Sequence, residues 1–352
     1  MSEKKIVFIL GSMGKGGAER VISILSNHYI GKGCEVHIIT LLDSKCEYEL
    51  HESIKLKYIG DKRKKRISQL PNWILGIREY VKEVNPDKIV SFAARINIIT
   101  ILSCFGLNKE IIISERNDPY YDGRSGIINI LTSILYPLAD KKVFQTKWAQ
   151  SYFPKYITKK SFVIPNPIQV TIKATKKSET KIVSVGRLTE QKNHKLLIHA
   201  FSKLIKSYPN YKLYIYGEGE LRQEYVATIK SLNLENNIFL PGIIDNIHEE
   251  IKDAKIFVLS SNYEGLSNAL LEAMMMGLPC ISTNCSGIDE YIIHKENGLL
   301  VPINDSEKLY KQMKNLIEND ELEKKIRSNC NSFSNHFSKP KVILMWESVI
   351  GF

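Results

Sequence analysis

Two cations and two carboxylates, each set just beyond a short apolar run, are where this 352-residue chain could do chemistry. Residues 181–185 (Lys-Ile-Val-Ser-Val) read as a buried strand. Gly186, Arg187 and then Lys192 follow, at the mouth of a helix that starts near Asn193. Paired cations beside helix-terminal amides suit a diphosphate, because both supply positive potential at fixed positions. A second strand, 256–260, runs into Asn262-Tyr263-Glu264-Gly265-Leu266-Ser267-Asn268 and a helix that carries Glu272. The step from Glu264 to Glu272 is about two helical turns. One carboxylate therefore stands at a strand end and the other on the helix behind it. Cations for a phosphate and carboxylates for hydroxyls are the parts needed to hold a nucleotide sugar. Glu272 is flanked by Ala269, Leu271 and the run Ala273 to Met276, which leaves little polar face, and a buried carboxylate needs partners such as a ribose diol.

Near the start, Gly11-Ser12-Met13-Gly14-Lys15-Gly16-Gly17 follows the first strand and opens a helix at Ala18. The spacing is not Gly-x-Gly-x-x-Gly, so a dinucleotide oxidoreductase fits poorly. The loop after the fourth strand reads Ser114-Glu115-Arg116-Asn117-Asp118-Pro119, in which Glu115 and Asp118 are candidates to orient an acceptor hydroxyl. There is no Asp-x-Asp in the chain. No metal and no cofactor are expected, and Arg187 and Lys192 take the role of a cation on the diphosphate.

Elements that position these residues alternate as strand and helix, the pattern of parallel α/β sheets. Strands are expected at 5–10, 36–42, 88–92, 110–114, 142–145 and 161–164, then at 181–185, 212–217, 237–240, 256–260, 280–283 and 298–301. That predicts two doubly wound domains joined through the Pro-, Thr- and Lys-rich stretch 165–181, with ligands at the carboxyl ends of the strands. His194 and His199, on the helix after Lys192, read as structural. The six cysteines are scattered without a Cys-x-x-Cys, which suits free thiols and the cytoplasm. The longest apolar stretches, 96–107 and 127–139, are too short to span a bilayer, and the first five residues do not read as a secretion signal.

Charge is uneven. Up to Pro165 there are 26 Lys and Arg against 16 Asp and Glu, a balance of +10; the remainder holds 23 against 22, a balance of +1. The cluster Lys62-Arg63-Lys64-Lys65-Arg66 precedes Leu70, Trp73, Ile74, Ile77 and Val81 at helical spacing. Two readings stand: a membrane-surface helix on anionic lipid, or an ordinary amphipathic helix with a solvated end. No recognition motif accompanies the charge, so nucleic acid is not an expected partner.

The ordered set of motifs resembles the retaining glycosyltransferases of family 4, which have the GT-B fold. It comprises Gly14 to Arg20, Val163-Ile164-Pro165-Asn166-Pro167, Val185 to Lys192, Glu264 with Glu272, Ala273 to Pro279, and Asn297-Gly298-Leu299-Leu300-Val301. The resemblance implies two Rossmann-like domains facing a central cleft: an acceptor domain over 1–165, a nucleotide-sugar domain over 166–338, and a helix over 339–352 that crosses back. It implies that Gly16 and Gly17 let backbone approach donor and acceptor. Arg187 and Lys192 would meet the diphosphate, Glu264 the transferred sugar, and Glu272 the ribose, while the amides of Gly265, Leu266, Ser267 and Asn268 would face phosphate and sugar. Many relatives carry a histidine in the loop after the fourth strand; here Arg116 stands near that place. The activity implied is retaining transfer of a hexose or N-acetylhexosamine from a nucleotide sugar, UDP favoured. Its acceptor would be an oligosaccharide, lipid-linked through polyprenyl diphosphate, in surface polysaccharide synthesis at the inner face of the plasma membrane. The alternatives are a GT-B epimerase or hydrolase acting on a nucleotide sugar, and a non-catalytic sugar-nucleotide-binding protein.

Overall fold

The structure, a computed structural model, describes residues 3–14, 16–61, 65, 67–124, 126–174 and 180–351, with the backbone alone for 331–335. It divides into two compact units, Met1–Pro167 with Pro340–Phe352, and Ile168–Lys339.

Unit 1 is built on a seven-stranded sheet: β1 Lys5–Leu10, β2 Glu35–Thr40, β3 Lys55–Tyr58, β4 Lys88–Phe92, β5 Glu110–Glu115, β6 Lys141–Phe144 and β7 Ser161–Val163. Its order is β3-β2-β1-β4-β5-β6-β7, with every pair parallel. Successive β1 residues serve opposite faces. Ile6, Phe8 and Leu10 join one apolar cluster, and Val7 and Ile9 the other. That two-sided burial is why the strands read as continuous apolar runs. The sequence reading missed β3, Lys-Leu-Lys-Tyr, because it is an exposed edge strand with no buried run to betray it. Helix Lys339–Ile350 closes one face, where Trp346 stacks on Phe92 with ring centroids 5.7 Å apart.

Helix Leu70–Val84 settles one of the two readings of its apolar stripe. Trp73, Ile77 and Val81 are buried in the core of unit 1, so the stripe is the inward face of an ordinary amphipathic helix. Of the basic cluster ahead of it, Lys62, Arg63, Lys64 and Arg66 lie outside the described residues.

Unit 2 has a six-stranded parallel sheet in the order β10-β9-β8-β11-β12-β13. Its strands are β8 Lys181–Val185, β9 Lys212–Tyr216, β10 Ile238–Gly242, β11 Ile256–Leu259, β12 Cys280–Thr283 and β13 Leu299–Val301. In each sheet the order reverses beside the first strand, at β1 and β4 and again at β8 and β11. Loops leaving the carboxyl ends of such strands diverge and leave room for a ligand. All six cysteines are free, and all but Cys46 are buried. No described helix is long and apolar enough to cross a membrane.

Candidate functional site

Because β8 and β11 are neighbours, the two motifs that follow them meet at the switch point of unit 2. They are laced together through backbone. The Asn262 amide donates to Gln191 O at 2.8 Å, Asn262 Nδ2 to Glu190 O at 2.9 Å, and Ser260 Oγ to Lys192 O at 3.0 Å. Gln191 Nε2 donates to Tyr263 O at 3.1 Å. Across this seam Lys192 Nζ lies 2.6 Å from Glu264 Oε1, with only 14% and 5% of the two side chains exposed. Ser261 Oγ also donates to Glu264 Oε1, at 2.6 Å, and the Glu264 amide donates to Ser286 Oγ at 3.1 Å. Arg187 is exposed, its Nη2 donating to Gln191 Oε1 at 3.4 Å.

The turn that presents Arg187 rests on the loop after β9, which sequence reasoning passed over. The Gly186 amide donates to Tyr216 O and the Leu188 amide to Glu218 O, each at 2.9 Å. Gly217 has φ +136°, and a Cβ there would fall 2.0 Å from Gly186 O; one on Gly219 would fall 2.3 Å from Leu188 O. Any side chain at either position would push the Arg187 turn away. The signal was present as Gly217-Glu218-Gly219 directly behind a strand.

Helix Asn268–Met276 starts on Ser267, and its first intrahelical bond runs from the Leu271 amide to Ser267 O. The amides ahead of Leu271 have no acceptor within the helix, and its positive end stands four residues beyond Glu264. Ser267 Oγ is buried with no hydrogen-bond partner among the described residues. Leu266 sits in the apolar core of unit 2, so what it can offer a ligand is backbone. Glu272, one turn into the helix, is partly buried and held by His248 Nε2 at 3.1 Å. His248 lies on the short helix Ile247–Ile251 and carried no recognisable motif.

Other motif residues hold the frame. His194 is fully buried beneath the Arg187 turn, Nδ1 3.4 Å from Ser184 Oγ, with burial first and Lys192 second pushing its pKa down to about 4. Asn297 closes its own loop, accepting from the Ile293 amide at 2.7 Å and donating to Tyr291 O at 2.9 Å. Gly298 packs closely, since a Cβ there would lie 3.0 Å from Ile292 Cγ2.

In unit 1, Gly16 caps helix Gly17–Gly31 in extended backbone, and a Cβ on it would fall 2.2 Å from Glu19 Oε2. Tyr48 braces this loop: its hydroxyl donates to Gly16 O at 2.7 Å, while the Gly16 amide lies 3.2 Å from the same oxygen. Lys15 lies outside the described residues. At the end of β5, Glu115 bonds to Tyr136 Oη and pairs with Arg124 Nη2 at 3.0 Å, and Arg124 in turn grips Asp122. That network holds Glu115, which is buried, to the frame of unit 1. Asp118 is buried, with Oδ1 accepting from the Tyr120 amide at 2.9 Å and Oδ2 without a partner among the described residues. Arg116 is buried against the rings of both Phe92 and Trp346, donates to Ser114 Oγ and Ile164 O, and has its pKa lowered to about 9 by burial. It secures the end of β5 to the chain leaving β7.

Comparison with known proteins fits this arrangement. The model for Glycosyltransferase Family 4 matches residues 15–171, and that for Glycosyl transferases group 1 matches residues 167–332. A Campylobacter jejuni protein, N-acetylgalactosamine-N,N'-diacetylbacillosaminyl-diphospho-undecaprenol 4-alpha-N-acetylgalactosaminyltransferase, is 29% identical over 96% of this chain and 97% of its own. The amylovoran biosynthesis glycosyltransferase of Erwinia amylovora is 23% identical over 99% of each chain. Among solved structures, an Anabaena protein in complex with UDP superposes with a TM-score of 0.83 at 18% identity, covering 99% of each chain. The sucrose-phosphate synthase of Thermosynechococcus elongatus gives 0.81 at 17% identity, covering 99% of this chain and 98% of its own. With both halves matched in order and the fold shared end to end, the chain belongs to the family 4 glycosyltransferases of the GT-B fold and is a glycosyltransferase.

Proposed function

We propose that this enzyme moves a hexose or N-acetylhexosamine from a UDP-sugar to a polyprenyl-diphosphate-linked sugar, with retention at the transferred carbon, in surface polysaccharide synthesis. The observation that carries the reading is the seam of unit 2. There Lys192, Glu264, the Arg187 turn and the start of helix Asn268–Met276 converge at the carboxyl ends of β8 and β11. Support for the acceptor class comes from the Campylobacter jejuni relative, whose name places N-acetylgalactosamine on an undecaprenol-diphosphate-linked sugar. Support for the nucleotide comes from the Anabaena structure with UDP.

In this reading the donor diphosphate draws Lys192 away from Glu264 and is shared with Arg187 and the helix-end amides. Negative charge that grows on the leaving diphosphate is met by those fixed cations and dipoles, without a metal. Glu264, released from Lys192 and still held by Ser261, accepts from hydroxyls of the transferred sugar. Glu272, steadied by His248, accepts from the ribose. The Gly16–Gly17 loop of unit 1 serves the acceptor side, where missing side chains let backbone come close.

Thermal unfolding with a panel of nucleoside diphosphates and their sugars tests the donor assignment, since a ligand that binds the folded state raises its apparent stability. UDP and one UDP-sugar are expected to raise the midpoint. No shift with any nucleotide would overturn the reading.

A further inference from the structure

Unit 1 carries an apolar surface that its core does not use. Helix Gly126–Leu135 turns Ile128 and Leu131 inward against the core, and buries Thr132 and Leu135. Its other face holds Ile127, Ile130 and Ile134, exposed to 71%, 61% and 62%, and Leu138 extends the line at 50%. Spacings of three and four residues put the three isoleucines on a single stripe. Beside it stands an exposed aromatic pair, Tyr120 with its ring centroid 5.0 Å from that of Trp148, joined to the helix through Tyr152, whose hydroxyl lies 3.2 Å from Asn129 Oδ1. The segment that follows is basic: from Lys147 to Lys160 there is no acid, and Lys147, Lys155, Lys159 and Lys160 are exposed.

We infer that this face, and not the Leu70–Val84 helix, docks the enzyme on an anionic lipid bilayer. The stripe of isoleucines enters the headgroup boundary, the Tyr and Trp rings sit at its level, and the lysines meet acidic headgroups. Each part matches what a bilayer surface demands: an apolar stripe with rim aromatics for the boundary, and exposed lysines for the headgroups. A second copy of this chain would bring the same exposed lysines against its own, a like-charge contact, whereas an anionic surface is complementary to them. The inference goes beyond the proposed transfer reaction and gives it a location, since a polyprenyl-linked acceptor resides in a membrane.

Co-sedimentation with vesicles of phosphatidylglycerol and phosphatidylcholine, run without donor or acceptor, tests the surface independently of the reaction. Wild type is expected to bind vesicles rich in phosphatidylglycerol and to leave them as salt is raised. The variant Ile127→Ser/Ile130→Ser/Ile134→Ser should bind at least tenfold more weakly, with an unchanged circular dichroism spectrum. Lys147→Gln/Lys155→Gln/Lys159→Gln should lose most of the salt-sensitive part. As a check that needs no loss of binding, Ile130→Cys labelled with a polarity-sensitive dye should shift to the blue on anionic vesicles. Equal binding by wild type and the isoleucine variant, or no dye shift, would overturn the proposal. So would a wild type that is dimeric by light scattering beside an isoleucine variant that is monomeric yet still bound, since a second copy would then cover the face.

Discussion

Lys192 and Glu264, seventy-two residues apart in sequence, form a 2.6 Å ion pair that closes the seam between the loops after β8 and β11. The two side chains were expected to serve different parts of a donor, the cation a phosphate and the carboxylate a sugar. Their direct contact adds a second role: without donor, each neutralises the other in a partly dry site, where an unpaired charge is costly. Donor binding is then an exchange of partners, and the same pair contributes to folding and to transfer.

Lys192→Ala should therefore lower stability by about 3 kcal/mol, the lower end of the scale for stranding one member of a buried pair, since Lys192 keeps some exposure. Lys192→Met/Glu264→Leu, which replaces the pair by apolar groups, should recover most of that loss and still transfer no sugar. Urea unfolding together with initial rates reads both quantities. A Lys192→Ala protein as stable as wild type would show that the pair does nothing for the fold.

Arg187 offers a contrast, because its side chain is exposed and held by a single long hydrogen bond. Arg187→Ala should leave stability within about 0.5 kcal/mol of wild type. Its kcat/KM should fall by about 10²–10³, as for one lost electrostatic donor. Wild-type turnover from this variant would remove Arg187 from the phosphate site.

The two carboxylates should separate by what they bind. Glu272→Gln should weaken free nucleoside diphosphate by about tenfold or more, the cost of one hydrogen bond to a charged group. Glu264→Gln should leave that affinity near wild type and depress turnover. Calorimetry with the nucleotide and rates with the full donor distinguish them, and equal loss of nucleotide affinity in both would erase the division of roles.

Stability should also fall on mild acidification, through His194. Its folded pKa, pushed down to about 4 chiefly by burial, lies below the ordinary value, so the unfolded chain takes up the proton first. Stability from this group is complete above about pH 6.5 and is lost as pH falls toward 4, amounting to about 2 kcal/mol by pH 5. His194→Gln should show a flatter change in unfolding free energy between pH 7 and pH 5 than wild type. Parallel pH profiles would mean that the ring is not held neutral.

The seam was legible because its chemistry and its strands were written together. Val185 and Leu259 end apolar runs, glycines follow, and Arg187, Lys192 and Glu264 stand where such loops begin. What escaped notice depended on contacts distant in sequence. Gly217 and Gly219 matter because their backbone lies against Gly186 and Leu188, and His248 because a separate helix brings it to Glu272. β3 escaped because an exposed edge strand has no buried run. The Leu70–Val84 stripe left two readings open because an inward face and a membrane face share one periodicity. Burial told them apart and drew attention to Ile127, Ile130 and Ile134 instead.

The central claim is transfer to an acceptor by the Lys192–Glu264 site, and release of nucleoside diphosphate from a UDP-sugar measures it most directly, with and without a polyprenyl-diphosphate-linked sugar. The account predicts rapid release only when donor and acceptor are both present, and its loss in Glu264→Gln. Release at the same rate without acceptor, or undiminished release by Glu264→Gln, would contradict it.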